Sequence, residues 1–509
     1  MSADKVEKCA RLLSQKSTDD EKFAGLLLLP RVVDPQDARS WSLIFDSMDI
    51  RFVERLLRTG IKQAKATGTE ATDHTLLSIA VSIIDVLASH SHIAASPRII
   101  ERIPSLCAVA ALKIDHVSSE AMSALSRLLV HDAAVKVILE TPSLLTDIIN
   151  SAKDSEPAVQ FIDYVLNRCS QFATGEYLSG WISMVGCAAT VFEQEHSKVK
   201  FDLIGVLANA LEPVTASSAT DIEETGSNAQ LVKSISSGCI SILKQKTEAS
   251  QYTDQALVLY SHLVRLWPQA VFLRLASKRD SSDTVDSKEA ELVLRLACIE
   301  GQAAIDAMMI VDSSQPDSVF IKPGWKLPIC TEMAASWLSW VTRWLDDQPP
   351  DSLEVDEAAL YKIMSEIQRL ATSSVGLLVD WKERMHDEQA MLESSSELVI
   401  AIVHFLSLWL STDPKIHQAA IPVLPMCTKW IRNKENGTVF ADYLRPCVSF
   451  ALETCGISEA QYADDLKTHQ LHHDRSQAQG FASPWVGTIE FDDLARAVYS
   501  IPTDEEMLL

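Results

Sequence analysis

Glycine and proline are scarce in this chain, 16 and 19 residues in 509. Sheet-rich folds need turn residues at short spacing, so this supply argues against an all-β architecture. The ten cysteines include no C-x-x-C pair, which removes the usual zinc and redox spacings. Long hydrophobic runs are missing too. The longest, Leu398–Leu410, is interrupted by His404 and Ser407 and falls short of the roughly 20 residues a bilayer span requires. The opening residues have no apolar core, so no secretory leader is expected. Positive charge is in deficit: 45 Lys and Arg against 69 Asp and Glu, a net charge of −24. Such a field repels phosphate backbones, which excludes nucleic acid as the principal ligand and disfavours membrane binding through bulk charge. Motifs for phosphate cradles, dinucleotide turns, nucleophile elbows and H-E-x-x-H zinc sites are absent. No catalytic residue, cofactor or metal is expected.

What is present is helix. Apolar residues make up 47% and charged residues 22%, the balance of a folded chain rather than a disordered one. Leu76, Ala80, Ile83 and Leu87 share one helical face, as do Ala121, Leu125, Leu128 and Leu129. Thr18 with Glu21 three residues on reads as a capping box, and Asp413-Pro414 as an N-cap and first helical position. The pattern predicts on the order of 20 helices. Taken in pairs they give a unit of about 40–47 residues, the size of an armadillo or HEAT repeat. The expected fold is therefore all-α: an α-solenoid of armadillo/HEAT-like helical hairpins over residues 1–455, followed by a polar, partly disordered tail over 456–509. Polar or proline-bearing stretches at 215–228, 278–288, 312–326 and 346–357 read as loop insertions. Cysteines set inside apolar periodic runs, as at Cys298, read as small buried hydrophobes in a reducing compartment, which predicts a cytoplasmic protein.

Several segments follow one another in a familiar order: Lys8-Cys9-Ala10-Arg11-Leu12-Leu13, Phe23–Leu29, Ile44-Phe45-Asp46, Phe52, Arg55-Leu56-Leu57, Ser96-Pro97, Ile103-Pro104, Leu296–Glu300, Trp409-Leu410 and Val423-Leu424-Pro425. In this order, across roughly residues 5–435, the chain resembles the neurochondrin family. The resemblance implies a cytosolic, armadillo-like scaffold that binds signalling proteins or receptor tails and, in animals, is linked to neurite outgrowth.

Two groups of residues are candidates for partner binding. Arg51, Arg55, Arg58 and Lys62 recur at helical spacing, with Lys65 beyond, and form a basic stripe on an acidic protein. It would receive an acidic peptide, a phosphate or a lipid head group, and so admits an alternative role as a trafficking or transport adaptor with peripheral membrane contact. The bland reading is a solvated helix face offset by Glu54. Trp337, Trp340 and Trp344 lie at i, i+3 and i+7. Exposed, they would receive an amphipathic helix; buried, they are a core stripe, which is the better expectation. His90 and His92 read as solvated loop residues. His469, His472 and His473 beside Asp465 and Asp474 read as a polar tail segment rather than a metal site, and the acidic di-leucine pattern ending at Leu509 as a chance match.

Overall fold

A computed structural model describes residues 3–67, 74–152, 155–214, 228–244, 250–276, 284–310, 326–347, 357–384, 396–424, 437–454 and 456–464. Among the described residues there is no strand. The chain divides into two compact units, Met1–His262 and Leu263–Leu509. The helical periodicity, which runs through residues 1–455 without a change in kind, does not mark this division.

The first unit contains α1 (Ala3–Leu12), α2 (Asp19–Val32), α3 (Ala38–Ser47), α4 (Ile50–Thr67), α5 (Thr75–Ala88), the single turns α6 (Ser91–Ala94) and α7 (Pro97–Ile100), α8 (Ile103–Ala110), α9 (Asp115–Leu128), α10 (Asp132–Glu140), α11 (Ser143–Ser151), α12 (Glu156–Ser170), α13 (Leu178–Gln194), α14 (Lys198–Leu211) and α15 (Asn228–Leu243). Most of α16 (Ser250–Leu266) also lies in it. Short connections make consecutive helices antiparallel neighbours. Each also packs on its counterpart in the next hairpin: α5 on α9, α9 on α12, α12 on α14, and α11 on α13, which in turn packs on α15. This double set of contacts is how a repeat array buries its apolar faces. Side-chain hydrogen bonds that tie α5 to α9, α9 to α12 and α12 to α14 join residues 38 to 46 apart, close to the unit inferred from the helix pattern. Ala80, Ile83 and Leu87 are buried, and so are Ala121, Leu125, Leu128 and Leu129. Each such Leu or Ile contributes about 1.5–3 kcal/mol of apolar burial.

The second unit repeats the scheme with longer helices: α17 (Pro268–Ala276), α18 (Thr284–Ile310), α19 (Lys326–Asp347), α20 (Glu357–Arg384), α21 (Ser396–Thr412), the turn α22 (His417–Ala420) and α23 (Gly437–Thr454). Here α18 packs on both α19 and α20, α19 on α21, and α21 on α23. Both units are thus α-solenoid stacks of armadillo/HEAT-like hairpins.

Some expected boundaries move. The 278–288 stretch ends inside α18, which starts at Thr284; polar, acidic residues suit the first turns of a helix as well as a loop. Asp346 and Asp347 close α19 and Glu357 opens α20, and the rest of the loop expected at 346–357 lies outside the described residues. The 215–228 and 312–326 loops lie outside the described residues except Asn228 and Lys326, each the first residue of a helix. The beginning of the expected tail is folded: Ile457 and Tyr462 are buried and residues 459–464 are helical. Residues 465–509 lie outside the described residues.

Candidate interaction surface

The basic stripe is real as a row of exposed cations on α4. Phe52, Val53, Leu56 and Leu57 point into the unit, which leaves Arg51, Arg55, Arg58, Lys62 and Lys65 outside. Two members are already engaged. Arg55 donates to Asp19 at 2.6 Å and lies over the Phe52 ring. Arg58 donates to Glu54 at 2.7 Å. Glu54 is itself buried and also holds Arg102 at 3.3 Å and the Ser105 hydroxyl at 2.8 Å. The buried Lys22–Asp49 pair, 2.9 Å apart, lies beneath the same region. Arg51, Lys62 and Lys65 have no acidic partner among the described residues. The free charge is therefore about half of what the sequence spacing suggests.

The three tryptophans on α19 do not share one environment. Trp337 is 1% exposed and belongs to the core. Trp340 and Trp344 are half-buried and stack on each other with centroids 5.7 Å apart. Trp340 also meets Phe272 of α17 at 5.6 Å. Trp340 sits a turn from Trp337 and is rotated about 60° around the helix, because three residues fall short of a 3.6-residue turn.

A second surface was not signalled by any motif. The helices α5, α9, α12 and α14 lie side by side, and their outward polar side chains are tied across repeats. Ser82 donates to Glu120 at 2.6 Å, and Ser123 and Arg127 both meet Asp85 at 3.2 Å. The Tyr164 hydroxyl donates to the Ser126 carbonyl at 3.0 Å. Asn167 and Asn209 both donate to one oxygen of Asp163, at 3.0 and 3.2 Å. The contributing residues are some 40 positions apart in an array whose units share little sequence, so only the repeat period could have pointed to them.

His90 is not a solvated loop residue: it is half-buried, with its ring 6.0 Å from that of Trp41. His92 shares a 2.5 Å hydrogen bond with the Ser42 hydroxyl. Among the described residues no group of three or more His, Cys, Asp or Glu is placed to hold a metal ion. His469, His472, His473 and the di-leucine pattern lie outside the described residues. Cys9, Cys107, Cys169, Cys239, Cys298, Cys330 and Cys447 are buried thiols outside any disulfide. Burial pushes the Cys9 thiol up to about 11 and those of Cys107, Cys169 and Cys447 to about 12. Such thiols are inert at neutral pH. No helix of the described residues is long and apolar enough to cross a membrane.

The family model for Neurochondrin matches residues 1–438. The Neurochondrin homolog of Drosophila melanogaster is 22% identical over 442 residues, 83% of this chain and 56% of that protein. Neurochondrin of Xenopus laevis is 22% identical over 313 residues, 59% of this chain and 41% of that protein. The chain spans about half the length of these relatives. Among solved structures, an engineered protein aligns over 98% of both chains with 14% identity and a TM-score of 0.48. With most of its length matched by one family model, the chain belongs to the neurochondrin family.

Proposed function

We propose that this protein is a non-catalytic scaffold or adaptor that binds other proteins through the surface of its stacked hairpins, acting in the cytoplasm in signalling. The resemblance extends this to neurite outgrowth where the source is an animal. The observation that supports the reading is the row α5, α9, α12 and α14, whose outward side chains are fixed to one another across repeats. A surface held in this way loses little side-chain freedom on contact, which favours recognition. Trp340 and Trp344 are the aromatic anchors of the second unit, the residue class that dominates interface energetics. The test is crosslinked affinity purification of the full chain, compared with Trp340→Ala/Trp344→Ala and with Arg51→Glu/Lys62→Glu. The latter avoids Arg55 and Arg58, whose reversal would break internal pairs. The expected result is a discrete partner set from which each variant loses members. A set identical across all three proteins removes these residues from the interface, and no specific partner at all overturns the scaffold reading.

A second reading, a trafficking adaptor that docks on anionic membrane, is supported by the exposed, unpaired Arg51, Lys62 and Lys65. Each such charge contributes about 1 kcal/mol near an anionic surface. Flotation with phosphatidylserine vesicles at low salt discriminates: a chain that stays at the bottom of the gradient ends this reading.

A further inference from the structure

The row of helices is interrupted by an open trough of about 380 Å³ between α12, α14 and α16. Its chemistry is one-sided. Glu156, Asp163 and Asp202 supply three carboxylates, and no Lys or Arg lines it. Lys198, on the same side of α14 one turn before Phe201 and Asp202, is not part of the lining. Phe201 and Tyr252 form an aromatic wall, both half-buried, with ring centroids 4.2 Å apart. Asp163 is positioned by the two asparagine amides that donate to one of its oxygens, which leaves the other oxygen to accept.

Two further features of the lining are unexplained by internal packing. The side-chain oxygen of Gln255 is shielded from solvent and has no hydrogen-bond donor among the described residues. A buried acceptor left unmatched costs stability unless something else supplies the donor. Gly205 stands in the interior of α14, where glycine destabilises a helix relative to alanine. Nothing lies within 4 Å of where its Cβ would be. No neighbour within the chain requires glycine there; its effect is to keep the trough floor open.

We propose that this trough binds an arginine side chain presented by an extended segment of a partner protein, a refinement that rests on the scaffold reading above. A guanidinium matches every element of the lining. Its positive charge answers the three carboxylates. Its five N–H donors serve the Asp163 and Asp202 oxygens and, once the Gln255 amide turns toward the trough, its unmatched acceptor. Its flat face stacks on the Phe201–Tyr252 wall. A lysine ammonium would satisfy the charge without the planar contact or the fork of donors.

The full chain is titrated with a fluorescein-labelled Gly-Ser peptide bearing three arginines, and with lysine and citrulline versions of it. Because a chain of net charge −24 attracts any cation, the charge control is Asp20→Asn/Asp46→Asn, which removes two exposed acids far from the trough along the chain. Expected are at least fivefold tighter binding of the arginine peptide than of the lysine peptide and no measurable citrulline binding. Asp163→Asn/Asp202→Asn should weaken binding at least tenfold and the charge control less than twofold. Tyr252→Ala should erase the preference for arginine over lysine. Gly205→Met, which fills the opening beside α14, should abolish binding with circular dichroism unchanged and the thermal midpoint no lower than that of the parent chain. Equal affinity for the arginine and lysine peptides, or equal losses in trough and control variants, overturns the proposal by showing attraction to the overall field. So does undiminished binding by a folded Gly205→Met. If the peptides fail while crosslinked partners persist, the trough assignment falls and the scaffold stands; if both fail, both fall.

Discussion

At Gly180 an added Cβ would lie 1.9 Å from the carbonyl oxygen of Leu139, a backbone atom at the end of α10. The first turn of α13 crosses α10 closely enough that only glycine fits. Gly180→Ala must push two helices apart, and we expect a loss of about 3 kcal/mol or more. Gly186 of the same helix has nothing within 4 Å, so Gly186→Ala should stabilise by up to about 1 kcal/mol. Denaturant midpoints of the two variants, moving in opposite directions, check the assignment. Two histidines set a second expectation. Burial holds His90 below its ordinary value of 6.5, with His92 acting in the same direction and Asp37 opposing. Burial alone does the same at His404. The folded chain keeps both rings neutral to a lower pH than the unfolded chain, which takes up these protons near pH 6.5. The stability they contribute is complete above that pH and is lost as the pH falls through it toward the folded values. The thermal midpoint should drop between pH 7 and pH 5, and the drop should shrink in His90→Phe/His404→Phe. A drop of equal size in that variant would assign it to other groups.

The start of α2 shows how an element is specified by a few residues. The Thr18 hydroxyl accepts from the Glu21 amide at 3.3 Å, and the Glu21 carboxylate accepts from the Thr18 amide at 2.7 Å. The Thr18 amide and, at 3.0 Å, the Thr18 hydroxyl both donate to that carboxylate and hold the Glu21 carboxyl below the usual carboxylate range. Thr18→Ala should cost about 1 kcal/mol and Thr18→Asn much less, read as shifts in the thermal midpoint. This cap was legible because both partners lie within four residues. So was Asp413, whose carboxylate accepts from the Lys415 amide at 3.0 Å to start a single turn. The buried faces of α5 and α9 were legible from their spacing. The trough was not: Asp163, Asp202 and Tyr252 are brought together by stacking, and no local pattern links them. The basic stripe was legible as a row, and so was its offset by Glu54, four residues before Arg58 on α4; the pairing of Arg55 with Asp19 was not, because Asp19 comes from α2. The tryptophan spacing likewise marked one side of α19 without showing where core gives way to surface.

Over the whole molecule, 69 acids face 45 bases. Like charges on a folded surface are closer together than on an unfolded chain, so this excess opposes compaction, and salt relieves it. Raising sodium chloride from low to about 500 mM shortens the screening distance to a few ångströms. The internal pairs at Glu54 and Asp49 are buried and lose little of their attraction, whereas exposed pairs such as Lys8–Asp4 are weak from the start. The net effect on folding should be stabilising, about 1 kcal/mol, or roughly 2–4 °C for units of this size. Arginine-peptide binding at the trough should move the other way and weaken with salt, because it draws on the same field for its approach. The two titrations, run on one preparation, separate the field from the contacts. If salt lowered both the midpoint and the affinity, attraction between surface charges would outweigh repulsion. The acid excess would then act on partners rather than against the fold.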